Sequence, residues 1–149
     1  METNATPNAE QGEKRQSRSF GRHLPTVARV LMGLLFLVTG LNGFLNFLPQ
    51  PSSMPEGAAA FSGALLKTGY MFPLIMGTQL LSGVLLLFNR FVPLALALLA
   101  PVVVNIVAFH AFLAPAGLGL ALVVLLLELY LAWAYRKSFR PMLAMRSTP

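Results

Sequence analysis

Four apolar segments dominate the chain, at about residues 27–48, 69–88, 91–113 and 117–135. Each comes close to the ~20 residues that an α-helix needs to cross a hydrocarbon layer of ~30 Å. The breaks between them are polar or helix-breaking. Asn89-Arg90 separates the second segment from the third, and Pro93 suits the first turn of a new helix, where its missing N–H costs nothing. Ala114-Pro115-Ala116-Gly117 separates the third from the fourth. Connections this short make the flanking helices antiparallel neighbours.

The one long connection, 49–68, opens with Pro49, Pro51 and Pro55, which favour extended or turn geometry. Ser53-Met54-Pro55-Glu56 then fits a capping box, with Ser53 as N-cap and Glu56 three residues on. Ala58, Phe61 and Leu65 recur at helical spacing and Lys67 sits where a cation favours a helix C-terminus. The pattern predicts a short helix lying at the membrane surface. The first 25 residues are polar and poor in aromatics and are expected to be disordered. The 19 uncharged residues from Val30 to Leu48 exceed a signal-peptide core of about 7–15, so the first segment reads as an uncleaved span.

Composition sharpens this picture. Of 149 residues, 56% are apolar and 11% charged, with a mean hydropathy of +0.68. Soluble domains run to about 25% charged, so this chain cannot cover itself in water. The expected fold class is all-α: an integral-membrane four-helix bundle over residues 26–136, between a basic tail at 1–25 and another at 137–149. The absence of cysteine excludes disulfides, thiolate metal sites and dithiol relays.

The net charge of +6 is an orientation signal. With both termini in the cytoplasm, ten of the eleven Lys and Arg face inward and only Lys67 faces out. This predicts a multi-pass protein of the inner membrane. Trp133, Tyr130 and Tyr135 would mark the inner interface and Tyr70 the outer one. The basic tails lack interleaved aromatics, so they suit anionic lipid and not nucleic acid.

Within the spans polar side chains are few: Asn42 and Asn46, Gln79, Asn105 and His110, and Glu128. In hydrocarbon each needs a partner, which makes them the candidate polar interior for a ligand. Asn42 and Asn46 share a helix face and, with Asn105 and His110, fall toward the outer side. The plainer role for the asparagines is to bond helices together. His110 suits proton exchange or a hydrogen bond to a quinone-like carbonyl, or simply caps a backbone carbonyl. Glu128, the only acid in a span, is expected to carry its proton or be paired, with Gln79 its natural uncharged partner and Arg90 a more remote one. Gly33, Gly40, Gly43, Gly77 and Gly83 permit close helix approach, and Pro101 frees the carbonyl of Ala97 beside Asn105. There is no phosphate-binding loop, nucleophile elbow or metal-ligand cluster, and a second axial histidine for haem is lacking within the spans.

Gly40-Leu41-Asn42-Gly43-Phe44, closed by Pro49, resembles the first helix of DoxX-like membrane proteins. So do Gly77-Thr78-Gln79-Leu80-Leu81-Ser82-Gly83 leading into Asn89-Arg90-Phe91-Val92-Pro93, and Pro101 to Ile106 followed by His110 and Leu113 to Gly117. The resemblance spans about residues 28–135. It implies a four-helix membrane bundle and an association with membrane redox chemistry, such as quinone-linked oxidation of sulfur compounds. In the family pattern Gly-x-Glu-x-x-x-Gly a carboxylate stands where this chain has Gln79, so a proton role at that position does not carry over.

The function expected is an accessory or quinone-interacting subunit of a membrane redox system, working with a membrane or peripheral enzyme. That makes it an oxidoreductase-associated subunit in preference to an autonomous enzyme. A small-molecule permease element, which four helices would form as a homodimer, is the alternative, and a purely structural membrane partner the third. No metal is expected, and quinone is the one cofactor suggested.

Overall fold

The computed structural model describes the backbone of residues 7–49 and 53–139, with side chains from residue 23 onward. The described residues are all-helical. They form α1 (Pro7–Leu45), α2 (Glu56–Lys67), α3 (Met71–Leu87), α4 (Val92–Phe112), a 3-10 turn (Pro115–Gly117), α5 (Leu118–Ala134) and the short α6 (Arg136–Phe139).

Two boundaries differ from expectation. The backbone is already helical from Pro7, inside the stretch expected to be a disordered tail. Proline is pre-organised for a first helical position, and Glu, Gln, Lys and Arg after it are good helix formers. Residues 1–6 and 140–149 lie outside the described residues, so the remainder of both tails does too. The second difference concerns Ser53, which does not cap α2. Pro55 occupies the N-cap with φ −51° and ψ 143°, and no side chain caps the helix. A residue before proline prefers extended backbone, in keeping with Met54 lying outside the helix, and the start moves to Glu56.

Elsewhere local chemistry accounts for the elements. Pro93 sits in the first turn of α4. Thr68 closes α2, its hydroxyl bonding Leu65 O at 2.7 Å while it accepts from Met71 N at 3.0 Å. Gly69 takes φ +76°, which an L side chain rarely adopts, and α3 leaves α2 at 92°. At the other end of α3, Arg29 of α1 donates from Nη1 to the carbonyl oxygens of Leu86 and Leu87. A buried cation on the last carbonyls of a helix meets the negative end of its dipole.

The four long helices close a ring of contacts: α1 on α3, α3 on α4, α4 on α5 and α5 back on α1. Their inward residues, among them Met32, Phe36, Leu86, Leu96, Leu99, Val103 and Leu131, form one apolar core. The outward faces are equally apolar, with Leu31, Leu81, Val104, Leu126 and Leu129 each more than half exposed. A soluble protein seldom leaves contiguous apolar faces bare, whereas hydrocarbon covers them at no cost. Three helices are long and apolar enough to cross a membrane, or four if the bent pair α2–α3 is one span. The protein is therefore a helical membrane protein.

The α1–α3 seam is the tightest contact. A Cβ on Gly40 would lie 2.6 Å from Leu80 N, and one on Gly83 would lie 2.5 Å from Leu37 N. Backbone meets backbone there, as small residues allow between membrane helices. Gly77, grouped with these glycines by sequence, faces nothing within 4 Å.

Candidate functional site

Where the same helices diverge, toward the end of the ring that carries α2, two cavities lie side by side. One of about 370 Å3 is walled by α1, α3, α4 and α5, and includes Thr39, Asn42, Asn46, Gln79 and His110. The other, about 340 Å3, lies under α2 and includes Phe61, Leu65, Gln79, Pro101, Asn105 and His110. Phe72, Met76, Gln79, Ile106 and His110 belong to both, so these five side chains form the wall between them. Each volume falls in the ~300–1,000 Å3 range of small-molecule sites.

His110 is held from three sides. Its Nδ1 lies 3.0 Å from Ala114 O, in the turn that follows α4. A carbonyl only accepts, so Nδ1 must carry the proton, and Nε2 of the neutral ring is a bare acceptor. Gly117 lies so close that a Cβ there would overlap the imidazole. Phe109 meets the ring edge-on at 5.3 Å, and Phe61 of α2 stacks on Phe109 at 5.8 Å. The Ala114-Pro115-Ala116-Gly117 break thus has a second role, as the seat of the histidine.

Gln79 is 6% exposed. Its Oε1 accepts from the Thr39 hydroxyl at 2.8 Å, across the α1–α3 seam. Thr39 has one proton to share between this oxygen and Leu35 O at 2.9 Å. The Gln79 amide nitrogen has no acceptor among the described residues. It is also not among the fully enclosed unpartnered atoms, so it faces cavity space.

The two asparagines of α1 are occupied mainly with ending their own helix. Asn42 Oδ1 accepts from Leu48 N at 2.7 Å, and Asn46 takes the left-handed φ of 49° just past Leu45. Their bonds run within the chain end, not across to another helix. Asn105 is exposed and borders the cavity under α2.

Glu128 stands apart. It is 6% exposed, borders neither cavity, and its Oε2 has no partner among the described residues. The expected pairing with Gln79 does not form, and the Gln79 oxygen bonds Thr39 of α1 instead. Arg90 is turned outward over the Phe91 ring, 6.0 Å from its centroid.

Arg29 and Thr39 are functional residues that the polar pattern of the spans does not single out, although Arg29 falls inside the apolar run that begins at Val27. No group of three His, Cys, Asp or Glu side chains comes together among the described residues.

A helical membrane protein with a polar-walled cavity between its spans is the class that fold and site define. The family model for DoxX matches residues 24–111, well over half of the chain, and the protein belongs to the DoxX family. No curated protein and no solved structure matches it.

Proposed function

We propose that this DoxX-family protein is an accessory subunit of an inner-membrane redox system and binds a quinone in the paired cavities. The observation that carries the reading is the shared wall. It sets one unpaired acceptor, His110 Nε2, and one unpaired donor, the Gln79 amide, beside the apolar Phe72, Met76 and Ile106. A quinone offers carbonyl oxygens to the donor and a flat apolar ring to the walls, and its side chain suits the space beside Phe61, Leu65 and Val102. Apolar lining with a few placed polar groups is the usual form of such sites. The electron-transfer chemistry belongs to a partner enzyme, membrane-bound or peripheral.

In this reading α1, α3, α4 and α5 each cross the bilayer as a four-span bundle. At 17 residues α3 spans about 26 Å, at about 1.5 Å per residue, and crosses alone in a slightly thinned layer. The helix α2 lies on the outer surface, over the second cavity. Both termini are cytoplasmic, which the Lys and Arg distribution supports.

Two measurements test this. Quinone should co-purify with the full chain, and an added short-chain quinone should raise its melting temperature in wild type but less in Gln79→Leu. No ligand and no shift across a quinone panel would sink the redox reading, and concentrative uptake by proteoliposomes would replace it with a permease. For topology, the chain offers a cysteine-free background. Thr68→Cys should react with an impermeant thiol reagent on intact cells, and Ser138→Cys only after permeabilisation. The opposite pattern overturns the orientation.

A further inference from the structure

We infer that the cavity holds the reduced, hydroxyl-bearing form of its ligand more tightly than the oxidised form, with His110 Nε2 as the discriminating group. This rests on the quinone reading above and adds a redox preference to it.

The argument is an inventory of hydrogen-bonding capacity. Among the polar side chains on the cavity walls, Asn42 Oδ1 already accepts from Leu48 N and Gln79 Oε1 from Thr39. The Ala114 carbonyl fixes the proton of the His110 ring on Nδ1. Asn46 and Asn105 carry side-chain amides that, like Gln79, offer both a donor and an acceptor and so favour neither form. His110 Nε2 is left as a lone pair with no donor, on the wall it shares with Phe72, Met76 and Ile106. An oxidised quinone has carbonyl acceptors and no O–H, so it sets an acceptor against an acceptor and leaves both unpaired in apolar surroundings. The quinol presents an O–H to the same lone pair.

Gln79 makes no such distinction. Its N–H donates equally to a carbonyl or a hydroxyl oxygen, so it anchors both forms. Were its amide turned over, Oε1 would add a second acceptor for an O–H, which strengthens the same preference. The ring of His110 cannot turn to escape, because Gly117 and Phe109 close on it and Nδ1 would lose its carbonyl.

The test uses the full chain in lipid nanodiscs under anaerobic conditions, titrated with a decyl-substituted benzoquinone and with its dithionite-reduced quinol. The quinol should bind about tenfold tighter, the factor that one net hydrogen bond supplies. A tenfold ratio places the midpoint potential of the bound two-electron couple about 30 mV above that of the free couple. In His110→Leu the ratio should fall to near one through weaker quinol binding alone, while Gln79→Leu should weaken both forms and keep the ratio. Should His110→Leu not fold, 15N-histidine NMR of the wild type serves instead: quinol, and not quinone, should shift the Nε2 resonance of His110. Equal affinities, tighter binding of the oxidised form, or an Nε2 resonance indifferent to quinol would overturn the inference and leave the quinone site standing. Binding of neither form would overturn both.

Discussion

The α1–α3 seam and the cavity walled by α1, α3, α4 and α5 share two helices, and they differ in what their side chains do. In the seam Gly33, Gly40 and Gly83 let the two backbones touch, so nothing fits between. On the face of α3 turned toward α4 and α5, Met76, Gln79, Ile106 and His110 border a volume of about 370 Å3. In a membrane, helices gain little from burying apolar surface from one another, and close approach supplies the attraction instead. A glycine seam can therefore clamp a bundle firmly enough to leave a cavity beside it unfilled.

That contrast can be broken at the seam first. Gly83→Ala sets a methyl against backbone that cannot turn aside, and should destabilise the fold by about 2–3 kcal/mol, read as a lower melting temperature in detergent. An unchanged melt would mean the helices are not clamped there. Next in size, Arg29→Met removes a charged donor from two carbonyls of α3 and should cost about 2 kcal/mol, with Arg29→Lys recovering part of it. Thr39→Val deletes the bond between the Thr39 and Gln79 side chains, which joins α1 to α3, and should cost about 1 kcal/mol. It should also loosen Gln79 and so weaken quinone binding.

The two smallest effects on stability sharpen the comparison. Gly117→Ala should fold almost normally, because a side chain can move where backbone cannot, but it displaces His110 and should reduce the quinol-dependent rise in melting temperature. Gly77→Ala should be neutral, or stabilising by up to about 1 kcal/mol from helix propensity, since its methyl meets nothing within 4 Å. A large loss at Gly77 would place a further contact on that face.

How much of this could be read from residues alone follows the kind of force involved. The long helices and their breaks were legible, because the solvent that surrounds them demands continuous apolar runs and the connections need Pro, Gly or charge. The polar positions were legible as a set for the same reason: Asn42, Asn46, Gln79, Asn105 and His110 stand out against hydrocarbon, and each borders cavity space. Their partners were not. Gln79 bonds Thr39, and Glu128 has neither Gln79 nor Arg90, because partner choice depends on helix rotation, which uniformly apolar helices do not encode by periodicity. Gly77 and Gly83 look alike in sequence for the same reason. At α2 the apparent capping box gave way to a start at Glu56 with Pro55 as N-cap, in line with the extended preference of a residue before proline.

Arg29 bears on the order in which the chain assembles. Its guanidinium finds its acceptors at Leu86 and Leu87, 57 and 58 residues further on. When α1 leaves the ribosome, those carbonyls have not yet been synthesised. The bond that joins this charge to the end of α3 can therefore form only after the second long helix exists, so the start of α1 is fixed by a partner made after it.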